Sequence, residues 1–249
     1  MRHSAGLLDR ITPTQRPAGR AAGTQKWREL LFLHWSFPLD VVRPLVPAAL
    51  EIDPWDGRAW IGLVPFAMRE IRSSWMPRWP SFNFLETNVR TYVHQRGEPG
   101  VYFFSLEASS WLAVKVARAV WQLPYFHASM RATQDAGVIA YESMRRGDGP
   151  FMRARWRVGP AIGASRVGTL EHFLLERYVL FSLGRSGRVR RGQVHHVPYP
   201  AQHATLESLE QTLVSAAGLP LDPTTPPETV HYAEGVDVEV FGPWDAPEG

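Results

Sequence analysis

The sequence contains no cysteine. That excludes disulfides and thiolate metal sites, and it implies no oxidising compartment. Lysine is nearly as scarce. Of 27 basic residues only Lys26 and Lys115 are lysines, so covalent catalysis through a side-chain amine has two candidates. Basic residues stop altogether after residue 200, where nine acidic residues stand without a counterpart. A general preference for arginine explains the basic remainder more simply than nucleic-acid binding does. No apolar run approaches the roughly 20 residues that span a bilayer. The N-terminus also lacks the continuous hydrophobic segment of a secretory signal. The expectation is a soluble, cytoplasmic protein with neither membrane nor nucleic acid as partner. There is no glycine-rich phosphate loop, nucleophile elbow or dinucleotide fingerprint, and no cofactor is implied.

What is present suffices for a large core, with 45% hydrophobic residues in a chain of 249. Residues 1–25 mix Arg with Pro, Gly, Ala and Thr without hydrophobic period and read as a loosely attached tail. One domain is expected over 26–242, with a second short tail at 243–249. Within it, WRELLFLHW reads as a strand, LDVVRPLVP as a short helix, and the segment after Ala48 as two strands about an Asp53–Gly57 turn. SSWMPRWPS, residues 73–81, reads as a loop packing as a lid. Strands are expected at 84–94 and 101–108 about a six-residue QRGEPG turn, with Arg90 opposite Ser105 in one register, and then a helix over 111–122. Further on, FMRARWRV alternates as a half-buried strand, 169–182 and 204–218 read as helices, and 229–242 as a strand pair about Glu234–Gly235. The fold class expected is α+β, mainly antiparallel.

The chemistry concentrates on residues 82–128. Glu86, Asn88, Arg90 and Tyr92 share one face of a strand that begins with Phe82 and Phe84. That face either lines a partly wet cavity or looks outward. Beside aromatic rings the Glu86 carboxyl would hold its proton to higher pH, as a general acid or base requires. The alternative is an ion pair with Arg90 or Arg118. Lys115 lies on a polar stripe with Arg118 and Gln122 and reads as solvated or ion-paired. His127, His195, His196 and His203 lack a recognised metal spacing, and no metal site is expected.

LFLHW, VPF, LETNVRTYV, GVYFFSLEA, ARAVWQLPYFHA, LLERYVLFS and RGQVHHVPYP together resemble the motifs of the YqjF-like family, a bacterial domain of unknown function. The resemblance spans about residues 27–241. That family is similar in turn to acetoacetate decarboxylase. The resemblance therefore implies a closed, cone-like or barrel-like sheet around a central cavity, with flanking helices. It also implies a catalytic set of two lysines, a cavity arginine and a glutamate. Here Tyr125 and Phe126 stand in place of the lysine pair, and Ser36 or its neighbours in place of the arginine. Glu86 alone matches. Without the amine, decarboxylation through an iminium should not run.

The reading is a cavity protein that binds a small, partly apolar or aromatic molecule and leaves homo-oligomerisation open. Phe82, Phe84, Trp121 and Tyr125 would supply apolar walls, and Phe126, Ser36 and His127 further ligand contacts. If catalytic, Glu86 would shuttle a proton while Arg90 or Tyr125 stabilises an oxyanion, in a lyase, isomerase or hydratase step. The competing class is a non-catalytic ligand-binding or sensing protein.

Overall fold

Where the strands reverse is decided by a few residues in the left-handed region. Arg96 (φ 51°) and Gly97 (φ 83°) form a two-residue turn, as do Ala136 (φ 48°) and Gly137 (φ 77°). Paired positive φ values match the twist of a tight hairpin. The computed structural model describes residues 8–74, 81–184 and 186–246, so most of the expected lid at 73–81 lies outside the described residues. The strands are β1 (Gly23–Phe37), β2 (Glu51–Ile52), β3 (Ala59–Ser73), β4 (Phe82–Gln95), β5 (Glu98–Ala108) and β6 (Tyr125–Asp135). They continue as β7 (Val138–Arg145), β8 (Phe151–Gly163), β9 (Val179–Leu183), β10 (Val189–His195), β11 (Ala201–Gln211) and β12 (Thr229–Asp245). Four short helices are α1 (Leu39–Val42), α2 (Trp111–Val120), α3 (Leu170–Leu175) and α4 (Leu213–Ala216).

All twelve described strands join one sheet in the order β10-β9-β5-β6-β7-β8-β11-β12-β1-β3-β4-β2, with β4–β5 and β10–β12 also paired. Pairing is antiparallel except where β5 meets β6 and β9. Both sheet faces are covered. On β4, Val89 and Val93 enter one core with Leu31, Leu33 and Trp156, while Phe84 enters another with Phe32 and Phe66. No helix among the described residues is long and apolar enough to cross a membrane.

The β4–β5 turn is shorter than the six residues expected. Gln95 pairs directly with Glu98, and a bulge after Val89 sets Arg90 opposite Phe103 and Val89 opposite Ser105. Gly97 has open space around its Cβ position, so backbone conformation alone favours glycine there. Gly97→Ala should therefore cost about 1 kcal/mol in urea unfolding, with no loss of near-ultraviolet dichroism.

Several expected elements are corrected. The helix over 169–182 ends at Leu175, because Val179–Leu183 is drawn into the sheet between β5 and β10. Most of the helix over 204–218 is strand β11. The deception has a physical cause: a bulge between Leu206 and Ser208 sets Leu206 opposite Trp156 and Leu209 opposite Ala154. The two inward leucines thus stand three residues apart, a helical spacing on a bulged strand. The strand pair at 229–242 is one continuous β12, bent at Gly235, where a Cβ would lie 2.3 Å from the Trp27 carbonyl oxygen. Residues 8–22, expected within a tail, lie against the domain: Arg10 pairs with buried Asp53 and Arg16 with Glu239. The arginines of β8 are paired too, Arg155 and Arg157 with Glu207 and Arg153 with Glu210 across the ladder to β11.

Candidate functional site

Strand alternation builds the first wall. Phe82, Phe84, Glu86, Asn88 and Arg90 of β4 all line a cavity of about 610 Å³. The wall runs inward, from half-exposed Phe82 (38%) to buried Glu86 (3%) and Arg90 (8%). Phe32 of β1, Phe66 of β3, Phe103 of β5 and Tyr125 of β6 face them. The apolar side of α2 forms the rim. Ser110 caps that helix by accepting from the Ala113 amide, and Leu112, Val116 and Val120 stay exposed at the mouth.

Glu86 is the acid of the site. Its Oε2 accepts a hydrogen bond from the Tyr125 hydroxyl at 2.8 Å, and Oε1 makes none among the described residues. Tyr141 fixes the backbone beneath it by donating to the Glu86 carbonyl at 2.8 Å. Burial pushes the Glu86 pKa up to about 8; the Tyr125 hydrogen bond opposes the rise and the Glu107 charge adds to it. With its pKa pushed up to about 8, Glu86 is largely protonated at neutral pH. The alternative of an ion pair is not what forms. Arg118 donates to the Tyr125 carbonyl at 2.6 Å, and Arg90 donates to the Leu174 carbonyl at 3.1 Å. Glu107, opposite Thr87 on the ladder, is held by Arg145 instead.

Arg90 lies among aromatic rings, its guanidinium 5.8 Å from the centroids of both Phe32 and Tyr92. No carboxylate pairs with it among the described residues. Tyr92 donates to the same Leu174 carbonyl at 2.8 Å and so accepts from His34 Nε2 at 2.7 Å, which places the imidazole proton on Nε2. Burial, then the Arg90 charge, hold His34 well below the usual imidazole range, so it remains neutral beside the guanidinium.

Of the residues expected at the site, Glu86, Arg90, Tyr125, Phe82, Phe84 and Trp121 line the cavity. Three do not. Ser36 accepts from Arg58 Nε at 2.6 Å and donates to Glu228 at 2.7 Å, outside the cavity. The pleat turns Phe126 away from Tyr125, so that its ring lies against Arg145 at 3.6 Å and Arg118 at 5.4 Å. His127 sits two residues beyond Tyr125, level with Ala108, and is not among the lining residues. Neither lysine lines the cavity: Lys26 pairs with Glu70 at 2.6 Å, and Lys115 lies 4.7 Å over the Trp111 ring on the outer face of α2.

The structure adds Arg177, Tyr178 and Tyr199, which sequence reasoning missed. The helix expected over 169–182 concealed the first two, because they lie in the link between α3 and β9, where the helix has already ended. Tyr178 donates to buried Glu176 at 2.8 Å, and the His196 ring lies tilted against both the Tyr178 and Tyr199 rings with centroids 4.1 and 4.6 Å away. A Pro-Tyr-Pro segment after β10 was the only signal for Tyr199.

The mainly antiparallel sheet is shared with solved structures of acetoacetate decarboxylase-like proteins. The fold matches the acetoacetate decarboxylase of Legionella pneumophila (TM-score 0.60, 11% identity, 98% of this chain and 99% of that one). It also matches the enduracididine biosynthesis enzyme MppR complexed with pyruvate (TM-score 0.56, 12% identity, 90% and 89% covered). Within that fold the chain belongs to the DUF2071 family of uncharacterised conserved proteins, whose profile matches residues 24–237. It is 37% identical over 216 residues to the uncharacterised protein YqjF of Bacillus subtilis, across 86% of this chain and 88% of that one.

Proposed function

We propose that this protein binds a small organic molecule in its cavity and moves a proton to or from it through Glu86. The observation that carries the reading is a carboxyl buried on the cavity wall, with one oxygen held by Tyr125 and the other without a hydrogen bond among the described residues; burial raises its pKa. Because the Tyr125 hydroxyl is committed to Glu86, Tyr125 positions the acid, and Arg90 is the cavity cation left to hold negative charge on the ligand. The pairings β4–β5 and β10–β12 support a sheet closed into a cone around this cavity. No lysine among the lining residues can form an iminium, so the chemistry is non-covalent acid–base transfer: isomerisation, hydration or a lyase step. A purely ligand-binding or sensing role is the second reading. It is favoured by Glu107 lying on the opposite face of the strand pair, which leaves Glu86 without a second carboxyl beside it.

The test is exchange of α-protons in deuterated water, followed by proton NMR, over a panel of ketones and 2-oxo acids. Exchange should occur with at least one member and fall at least about 100-fold in Glu86→Gln, the usual scale of a lost acid–base group. Exchange that is unchanged in Glu86→Gln, or a borohydride-stable adduct on Lys115, would refute the mechanism. Binding without any exchange would leave the sensing role.

A further inference from the structure

The inner end of the cavity carries more positive charge than the protein neutralises. Arg177 also lines it, is buried, and meets Asp53 Oδ2 at 3.0 Å without hydrogen-bond alignment for that nitrogen. Arg10 competes for the same carboxylate. Two guanidiniums thus share Asp53, which is fully buried, and Arg90 adds a third with no carboxylate of its own among the described residues. The mutual repulsion of these arginines is felt at Arg177, whose pKa burial pushes down to about 10 even with Asp53 opposing. The Leu174 carbonyl gives Arg90 only a partial negative charge and is shared with Tyr92. Among the described residues Arg90 Nε, which is buried, finds no hydrogen-bond partner, and the nearby Asn88 Oδ1 is in the same condition.

A buried guanidinium without a counter-charge is costly unless an anion meets it. The neutral Glu86 cannot be that anion below its own titration. Much of the remaining lining is apolar, including Phe32, Val64, Phe66, Phe84, Phe103 and Leu106, while Gln25, Arg72, Ser73 and Ser74 add polar groups. A volume of about 610 Å³ lies in the range that encloses a drug-sized ligand. A three- or four-carbon acid would leave most of these walls unfilled. One planar guanidinium suits the two oxygens of a carboxylate, whereas a phosphate dianion would call for further donors.

We propose that the ligand is an apolar monocarboxylic acid, with its carboxylate on Arg90 and its hydrocarbon body running along the β4 wall past Glu86 toward the α2 rim. This rests on the cavity being the ligand site. On that placement Arg90 anchors the acid, and Glu86, four residues nearer the mouth and about 13 Å along an extended strand, faces the body of the molecule. The aromatic wall of Phe32, Tyr199 and Tyr178 accepts either an aryl group or an extended alkyl chain, two sources that share this chemistry.

Titration calorimetry on the full chain at pH 7 tests the assignment with decanoate and 2-naphthoate against decanol and 2-naphthamide. At least one acid should bind tenfold or more tightly than its neutral partner, and the one that does identifies alkyl or aryl. Arg90→Met should cost the acid tenfold or more and leave the neutral compound within twofold. Arg90→Lys, which keeps the charge and loses the fork, should fall between and serves if the Met variant does not fold. Equal binding of acid and neutral compound, or acid binding insensitive to both Arg90 variants, would overturn the carboxylate assignment while the cavity reading stands. No binding of any of the four to the native chain would overturn both.

Discussion

Glu86→Gln is expected to make the protein more stable than the native chain at alkaline pH, although it removes the acid of the proposed site. The Glu86 pKa rises from 4.5 to about 8 on folding. Its folded-state pKa is raised, so its contribution is fully present below pH 4.5 and is lost as pH climbs through about 8. Over that window the unfolded chain gives up the proton and the folded chain keeps it. The native chain then loses up to about 5 kcal/mol from this group alone. Glutamine cannot ionise and does not incur that loss. Urea unfolding should show the two proteins within about 1 kcal/mol at pH 5, and the variant ahead by several kcal/mol at pH 9. Glu107 and Glu176 are raised by burial in the same direction, so the native curve slopes further still, and the difference between the two proteins isolates Glu86. Parallel curves across pH 5 to 9 would mean that Glu86 is not a buried neutral acid. The proposed chemistry would then lose its basis.

Asp53→Ala should be the most damaging single change at the inner end of the cavity. Asp53 is fully buried and faces Arg177 at 3.0 Å, with Arg10 on its other side. Removing it leaves two guanidiniums facing each other without a counter-charge, the situation that costs about 3–5 kcal/mol in buried pairs. In a chain of this length that is on the order of 10 °C in Tm. Adding Arg177→Met removes one of the stranded charges, so the double variant should be more stable than Asp53→Ala alone by about 1–3 kcal/mol. A loss below about 1 kcal/mol for the single variant would mean that water reaches the cluster. An anionic ligand that binds at Arg90 should also raise the Tm of the native chain, by mass action on the folded state alone.

Period-two alternation made the β4 wall legible from the chain. Once 82–90 is a strand, Phe82, Phe84, Glu86, Asn88 and Arg90 must share a face, and they do. The half-buried strand FMRARWRV followed from the same rule, with Met152, Ala154 and Trp156 buried. The helical period misled at β11, where a bulge gave two leucines a helical spacing, and at β9, where ladder partners overrode a helical pattern. Local propensity is weak beside the hydrogen bonds and burial that a sheet position supplies. The helix read over 204–218 and the strand found there use the same residues; the choice between them was made by β8 across the ladder.

By itself the sequence determined that no thiol chemistry exists here, that amines are almost absent, and that Glu86 stands on a face with Asn88 and Arg90. Those follow from residue identity and the geometry of an extended chain. Only the tertiary structure decided that this face turns inward and that Tyr125, 39 residues away, holds the acid. It alone decided that both lysines lie outside the cavity, and that Arg10 and Arg177 divide one carboxylate while Arg90 goes without. The reason is that desolvation and charge balance depend on which distant strands close over a group, and no local pattern in the chain records that.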